Sequence, residues 1–450
     1  MTMDEKPYTL IEAHDCSEFR YQKEHAGAIQ HFIAGASDFH VFHFGNSFAD
    51  KELSPIAEFD HRTARWFAGR MVGEADFNYE GQNFKIRITP RFGDLQLFRM
   101  FEEVFNVRFS ESTKLLSLTD KYHHLIKKLI SFLWLHLLAK ANQHGLPRHT
   151  VERVYQGAMI RGRIDVRKSI VPLYAEERLV SHYKEKALNE TITNILNQAY
   201  KILLRNYELG TLNTSPNAKD AIEQLKASGI SEQHITEHQY RKIVYKDIYL
   251  SFKSVIDLSW DIIRNKNIGS NQSNIKKTSF SFFIDMAEIW EMYLRSLLKR
   301  HLANDGWKLR NDKLLAYEHK SFQRTMIPDI VFQRDDEVMV WDAKYKRMRF
   351  EFFDYDRADF FQIHTYINYY HQSFKVVAGG LLYPLSKKFD SNKQLNNRSE
   401  TLFSLESTKT KFVVDGIDYS NISGGNLNSA GIKEEEAMFV SRISSLADEV

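Results

Sequence analysis

Residues 326–344 read Met-Ile-Pro-Asp-Ile-Val-Phe-Gln-Arg-Asp-Asp-Glu-Val-Met-Val-Trp-Asp-Ala-Lys. Two apolar runs, around Ile330–Phe332 and Val338–Trp341, have the length and composition of β-strands that could pair as a hairpin. Asp329 opens the first run, while Asp342 and Lys344 close the second. The spacing is P-D, twelve intervening residues, then D-x-K. Strand side chains alternate faces, so Asp342 and Lys344 share one, Lys346 can follow them, and Tyr345 points to the other. Two carboxylates and a lysine at one sheet edge suit metal-dependent hydrolysis of a phosphodiester. Hard carboxylate oxygens suit Mg²⁺, which needs only one or two of them because it keeps several waters. The metal polarises a phosphoryl oxygen and acidifies water. The lysine orients that water or offsets charge on the phosphate. The plainer alternative is a hairpin with Pro-Asp at an edge and solvated charges at its end.

The flanking segments favour the site. Phe282–Leu294 is expected to be a helix, offering Glu291 or Glu288 as a further carboxylate. A second helix is expected over Asp359–Tyr370. Asp359, Gln362 and Tyr366 are three and four apart there and share a face. Lys375–Tyr383 follows as a buried strand. Helix, acid-bearing strands, helix and strand make a restriction-endonuclease-like α/β core, with a mixed central sheet flanked by helices.

Composition limits the alternatives. A chain of 450 residues exceeds a single ordinary core. One cysteine, Cys16, excludes an internal disulfide framework and a cysteine-based zinc site, and it fits a reducing, cytoplasmic setting. The first twenty residues carry no signal pattern. The most apolar stretch, Leu129–Ala139, is too short to span a bilayer and reads as a buried helix, so no membrane role is expected. The net charge of +3 is small for an autonomous DNA binder, so grip on DNA should be local or borrowed from a partner. Lys344, Lys346, Arg347 and Arg349 lie nearest the proposed site and can contact phosphates. His234 and His238 are four apart but lack the H-E-x-x-H pattern.

Along the chain the class is α+β, in three parts. Residues 1–110 read as a β-rich N-terminal domain, from the alternation in Phe39–Phe44 and in Phe84–Ile88 after a turn at Glu80–Asn83. Residues 111–275 read as a helical region. Leu125, Ile126, Leu129, Ile130, Leu133 and Leu137 recur at helical spacing, as do Ile192, Ile195, Leu196, Ala199, Ile202 and Leu203. A polar linker is expected over Asn265–Thr278. Residues 276–450 form the nuclease domain, with a polar loop at Ser391–Ser399, a strand at Lys411–Val414 and a Gly-, Asn- and Ser-rich end from about 421.

The C-terminal part resembles the PD-(D/E)xK nucleases. Over a longer span, from about 88 to about 383, the chain resembles the McrC family, the nuclease subunits of modification-dependent restriction systems. Ile88-Thr89-Pro90-Arg91 is similar to the family's early strand ending in Pro and a basic residue. Gly145-Leu146 through Arg161-Gly162-Arg163-Ile164-Asp165 is similar to its central segment, Asn189-Glu190-Thr191-Ile192 to a helix start, and Met286–Glu291 to its acid-bearing helix. The first 85 residues and the tail beyond about 385 lie outside the resemblance.

The resemblance implies that Asp329 and Asp342 hold Mg²⁺ (with Mn²⁺ able to substitute), joined by the Ala343 carbonyl and by Glu291. It implies that Lys344 aligns or activates the attacking water and that Gln362, with Tyr366, supports the site. Lys346 and Arg347 would contact DNA. The chain contains no G-x-x-x-x-G-K-[ST] loop, so nucleotide would be bound by another chain. The resemblance makes that chain an AAA+ GTPase of the McrB type, which recognises and moves methylated double-stranded DNA. Residues before about 270 would dock on it, with Arg161 and Arg163 at the contact. Two other functions fit the residues: a stand-alone PD-(D/E)xK nuclease in repair or defence, and a non-cleaving adaptor that activates a partner NTPase.

Overall fold

The computed structural model describes residues 8–34, 41–42, 55–105, 121–207, 209–212, 214–229, 233–267, 281–316, 321–346, 357–385, 410–420 and 429–448. The chain is mixed α+β and divides into two compact units. One is Met1–Leu115 with Thr278–Val450, and the other is Leu116–Lys277.

The N-terminal stretch runs β1 (Thr9–His14), α1 (Ala26–Ala34), β2 (Val41–Phe42), β3 (Ala57–Asp60), β4 (Arg65–Ala68), β5 (Met71–Tyr79), β6 (Gln82–Thr89) and α2 (Asp94–Phe105). Of the strand expected over Phe39–Phe44, Val41–Phe42 is described and the rest lies outside the described residues. The turn expected over Glu80–Asn83 is tighter: Glu80 and Gly81 alone connect the strands, and Tyr79 already pairs with Gln82. Both carry positive φ, 49° and 81°, the twist that two-residue hairpins favour. Alternation along β6 then buries Phe84, Ile86 and Ile88, which pack in one core with Ile29 and Phe32 of α1.

The second unit runs α3 (Lys121–Ala141), β7 (Arg148–Gly157), β8 (Arg163–Ile164), α4 (Val166–Glu176), β9 (Leu179–Leu188), α5 (Glu190–Asn206), α6 (Pro216–Ala227), α7 (Glu237–Arg241) and α8 (Phe252–Asn267). Leu129–Leu135 of α3 is buried all round, and Trp134 Nε1 donates to Ser259 Oγ of α8 at 2.8 Å. Asn189 caps α5, its side chain accepting from Ile192 N–H at 3.1 Å. The region expected to be helical also holds a small sheet. β7 and β9 pair antiparallel over ten residues each, with β8 on the far edge of β9. Most of β7 is exposed or half-buried, so it shows little of the apolar alternation that marks a strand. Of the expected linker, Asn265–Asn267 closes α8, and 268–278 lies outside the described residues.

The C-terminal stretch runs β10 (Ser281–Asp285), α9 (Met286–Leu302), β11 (Lys308–Arg310), β12 (Leu314–Ala316), β13 (Arg324–Met326), β14 (Ile330–Arg334), β15 (Glu337–Ala343), α10 (Arg357–Tyr370), β16 (Lys375–Leu385), β17 (Lys411–Asp418) and α11 (Ser429–Asp448). Two expectations change. Phe282–Asp285 is a strand, not helix. β10 completes the N-terminal sheet in the order β1-β6-β5-β10-β2. Asp285 ends it and caps α9, accepting from Ala287 N–H at 2.9 Å and pairing with Arg70 at 2.9 Å. The Gly-, Asn- and Ser-rich end gives way to α11, whose Ile432, Phe439, Val440, Ile443 and Leu446 are buried at helical spacing. The loop expected at Ser391–Ser399 lies outside the described residues.

The second sheet of the first unit has the order β11-β14-β15-β16-β17. β14 and β15 are antiparallel, and β15, β16 and β17 are parallel. Val331, Val338 and Val340 pack on Ile363, Tyr366, Ile367 and Tyr370 of α10. Gly379 of β16 permits that approach: a Cβ there would stand 2.7 Å from Ile367 Cδ1. On the other face Trp290 of α9 donates from Nε1 to Leu382 O at 3.1 Å. Among the described residues, no helix is long and apolar enough to cross a membrane.

Candidate active site

The site begins with a turn. Asp335 and Asp336 alone connect β14 to β15, and Asp335 takes φ 51°, a left-handed conformation that Asp tolerates better than most residues. That length fixes the register from Arg334↔Glu337 to Ile330↔Trp341. One step further, Asp329 stands opposite Asp342. Facing residues of an antiparallel pair share a side of the sheet, so both carboxylates lie on the α10 side with Val331 and Val340. A one-residue slip would send Asp342 to the opposite face.

Ala343 N–H donates to Asp329 Oδ2 at 2.9 Å. Arg295 of α9 donates to the Asp329 carbonyl and lies 3.9 Å from Glu291 Oε1. Asp342 is fully buried, with its Oδ2 2.7 Å from Lys344 Nζ, while Oδ1 has no hydrogen-bond partner. Lys344 Nζ donates to Gln362 Oε1 at 2.9 Å, and Gln362 Nε2 in turn donates to Tyr366 OH at 3.0 Å. Asp359 approaches from the start of α10, 3.4 Å from Lys344 Nζ and 2.5 Å from Lys346 Nζ.

These neighbours shift the proton equilibria. Asp329 keeps part of its surface open to solvent, yet burial of its carboxyl group raises its pKa well above the usual range. Repulsion from Asp342 and Glu291 adds to this, against the Ala343 hydrogen bond and Lys344. Asp342 is raised by burial and by Asp359 and Glu291, although Lys344 opposes the shift. Burial works against the charge on Lys344, but Asp342, Asp359 and Asp329 outweigh it and raise its pKa. The lysine is therefore a fixed cation at neutral pH.

The residues expected at the site thus gather at one end of the sheet: Asp329, Asp342, Ala343, Lys344, Lys346 and Gln362, with Glu291 acting on both aspartates through its charge. Lys346 turns its ammonium to Asp359. Arg347 and Arg349 lie outside the described residues. Arg161 and Arg163 belong to the other compact unit. Sequence reasoning missed Arg295, although its i, i+4 spacing from Glu291 was a readable signal.

Among the described residues, no three His, Cys, Asp or Glu side chains form a closed metal cage. A two-carboxylate site for Mg²⁺ does not need one. The buried Asp342 Oδ1 without a hydrogen-bond partner fits a cation, as do the raised pKa values of both aspartates. In metal-free protein the nearest compensating charge is Lys344.

Comparison with known proteins identifies the family. A family model described as "McrBC 5-methylcytosine restriction system component" matches residues 68–384, which include both aspartates, Lys344 and Gln362. No curated protein matches the chain. Among solved structures, the chain is similar to the half-complex from a tetradecameric assembly of Thermococcus gammatolerans McrB AAA+ hexamers with bound McrC. The identity is 15%, over 97% of this chain and 100% of that one, with a TM-score of 0.48. A Thermococcus gammatolerans McrBC complex solved by cryo-EM matches at 17% identity, over 67% of this chain and 90% of that one, with a TM-score of 0.33. On the family match over most of its length, the chain belongs to the McrBC 5-methylcytosine restriction system component family.

Proposed function

We propose that the chain is the McrC-type nuclease subunit of such a system, cutting modified double-stranded DNA through a PD-(D/E)xK site. The observation that carries this is the meeting of Asp329 and Asp342 at one sheet end, with Asp329 accepting from Ala343 N–H at 2.9 Å and Lys344 Nζ 2.7 Å from Asp342. Asp329 and Asp342 would hold Mg²⁺ (or Mn²⁺), with Glu291 and the Ala343 carbonyl in support. When bound, the metal would polarise the scissile phosphoryl oxygen and lower the pKa of a water. Lys344 lies beside Asp342, where it can orient the nucleophile and balance charge on the phosphate. Gln362 fixes the Lys344 ammonium, and Tyr366 fixes the Gln362 amide. Gln362→Leu is expected to slow single-turnover cleavage by roughly 10- to 100-fold, the worth of a hydrogen bond to a charged group. An unchanged rate would remove Gln362 from the site.

Family membership and the lack of a nucleotide-binding loop support an AAA+ GTPase of the McrB type as the chain's partner. The second unit supplies a fitting surface. Met159, Ile160, Val166, Val171 and Tyr174 are all more than half exposed, and exposed apolar groups gathered this closely in sequence favour a protein contact. Beside them, Gly162 adopts φ 75°, and a Cβ there would meet His182 O at 2.4 Å. The Arg-Gly-Arg loop thus lies close on β9 with both arginines exposed. Arg161 stacks 4.6 Å from the Tyr155 ring centre. Arg163→Ala is expected to cut stimulation of the partner's GTPase about tenfold or more, as for an arginine donated between subunits. Stimulation equal to wild type would move the docking surface elsewhere.

The whole proposal is tested on methylated and unmethylated plasmid, with and without the partner and GTP. Cleavage of methylated DNA that needs both is the expected result. Cleavage by the chain alone would favour a stand-alone nuclease. GTPase stimulation without any cleavage would favour an adaptor.

A further inference from the structure

The chemistry proposed above makes no use of a buried pair in the N-terminal part of the first unit. Asp15 directly follows β1 and is fully buried. Its N–H donates to Thr89 O at 2.9 Å, and its Oδ1 accepts from Arg91 N–H at 2.5 Å. The Arg91 guanidinium lies 3.7 Å from Asp15 Oδ2, with its side chain 12% exposed. That guanidinium reaches the other sheet. It stands 4.7 Å from the ring centre of Tyr345, and its Nη2 donates to the carbonyl of Lys346 at 3.3 Å.

The position of that contact along the strand is what gives it meaning. The β15–β16 ladder ends at Ala343↔Leu382, and Lys344 N–H donates to Leu382 O at 2.9 Å. The next fixed points are the Tyr345 ring and the Lys346 carbonyl, both held by Arg91. Lys344 is therefore pinned on both flanks, by the ladder before it and by Arg91 after it. Tyr345 is buried on the face opposite Lys344, near Trp290 of α9. Rotating the backbone to release that ring would turn Lys344 away from Gln362.

We propose that Asp15 and Arg91 are positioning residues that lock the end of the catalytic strand, so that Lys344 keeps its place beside Asp342. The inference rests on the nuclease reading of that site. It requires an arginine: a planar guanidinium can stack on the Tyr345 ring while donating to a carbonyl and lying beside a carboxylate, and an ammonium cannot make this set of contacts.

The test compares full-length Arg91→Lys with wild type by hydrogen–deuterium exchange, cleavage kinetics and thermal unfolding. Expected is roughly tenfold faster amide exchange over 344–346, the worth of one hydrogen bond, with 338–342 still protected. With it, kcat should fall about 100-fold, the cost of a small misplacement of a reacting group, with substrate KM and Mg²⁺ half-saturation unchanged. Tyr345→Leu, which keeps an apolar side chain beside Trp290 but removes the ring on which the guanidinium stacks, should reproduce both effects and serves if Arg91→Lys fails to fold. Exchange at 344–346 equal to wild type overturns the inference. So does faster exchange with kcat unchanged, or loosening spread over the whole unit with a lowered melting point. Lys344→Ala in the same assay separates the two claims. If that variant still cuts, the nuclease reading fails and exchange alone decides whether Arg91 locks the strand. If it is dead while Arg91→Lys cuts at the wild-type rate, only the positioning role falls.

Discussion

Asp329→Asn is expected to abolish DNA cleavage and, in metal-free buffer, to make the protein more stable. Asparagine keeps the acceptor for Ala343 N–H but removes a charge that burial, Asp342 and Glu291 all disfavour. Relief of that repulsion should raise stability near neutral pH. The pH dependence follows. The native carboxyl binds its proton more tightly than the unfolded one, so the native state holds more protons between the two pKa values. Stability of wild type in EDTA should therefore fall as pH rises above the ordinary carboxyl range through the raised native pKa. In Asp329→Asn that slope should flatten. The same variant loses a ligand for Mg²⁺, and with it several kcal/mol of transition-state stabilisation, about a thousandfold or more in rate. Melting curves in EDTA across pH, beside single-turnover cleavage in Mg²⁺, check both halves. A destabilised variant, or one that cuts, would contradict the account.

Lys344→Ala should lose cleavage to a similar degree, roughly 10²- to 10⁴-fold, the range for a positioned group acting on the nucleophile. Its effect on stability has the opposite sign. Asp342 and Asp359 are buried, and Lys344 lies 2.7 and 3.4 Å from them. Removing the cation leaves Asp342 uncompensated, while Asp359 keeps Lys346, at a cost on the order of 2–4 kcal/mol in metal-free protein, somewhat under the figure for a fully buried pair. The native pKa of Lys344 is raised, so this contribution is complete below its unfolded value. It fades only as pH rises through the native one, and at pH 7 it is fully present. Saturating Mg²⁺ should recover part of the lost stability. Opposite stability changes with a shared loss of cleavage would distinguish a charge-balanced metal site from a hairpin of solvated charges, where neither variant should move the melting point much.

The hairpin that carries Asp329, Asp342 and Lys344 was legible because its signals are local. Apolar runs of strand length bracket Asp329, Asp342 and Lys344, and alternation alone puts Asp342 and Lys344 on one face. The helix spacing of Asp359, Gln362 and Tyr366 was equally readable: the first two meet Lys344, and Tyr366 meets Gln362. What escaped depends on long-range pairing. Phe282–Asp285 is apolar enough for either a helix or a strand, and its partner, β5, lies some two hundred residues earlier in the chain. β7 is largely exposed and β9 mostly half-buried, so no apolar period marked them. α11 was hidden by the Gly- and Asn-rich composition just before it. The reach of Arg91 to Lys346 spans 255 positions, and nothing local to either residue signals it.

The most direct measurement is a Mg²⁺ titration of single-turnover cleavage on methylated plasmid, with the partner GTPase and GTP present, run on wild type and Asp342→Asn. GTP hydrolysis is followed in parallel at constant nucleotide-bound Mg²⁺. The account predicts wild-type cleavage that saturates with free Mg²⁺, no cleavage by Asp342→Asn at any concentration, and equal GTPase stimulation by both. Cleavage by Asp342→Asn at the wild-type rate, with the same dependence on free Mg²⁺, would place the nuclease site elsewhere.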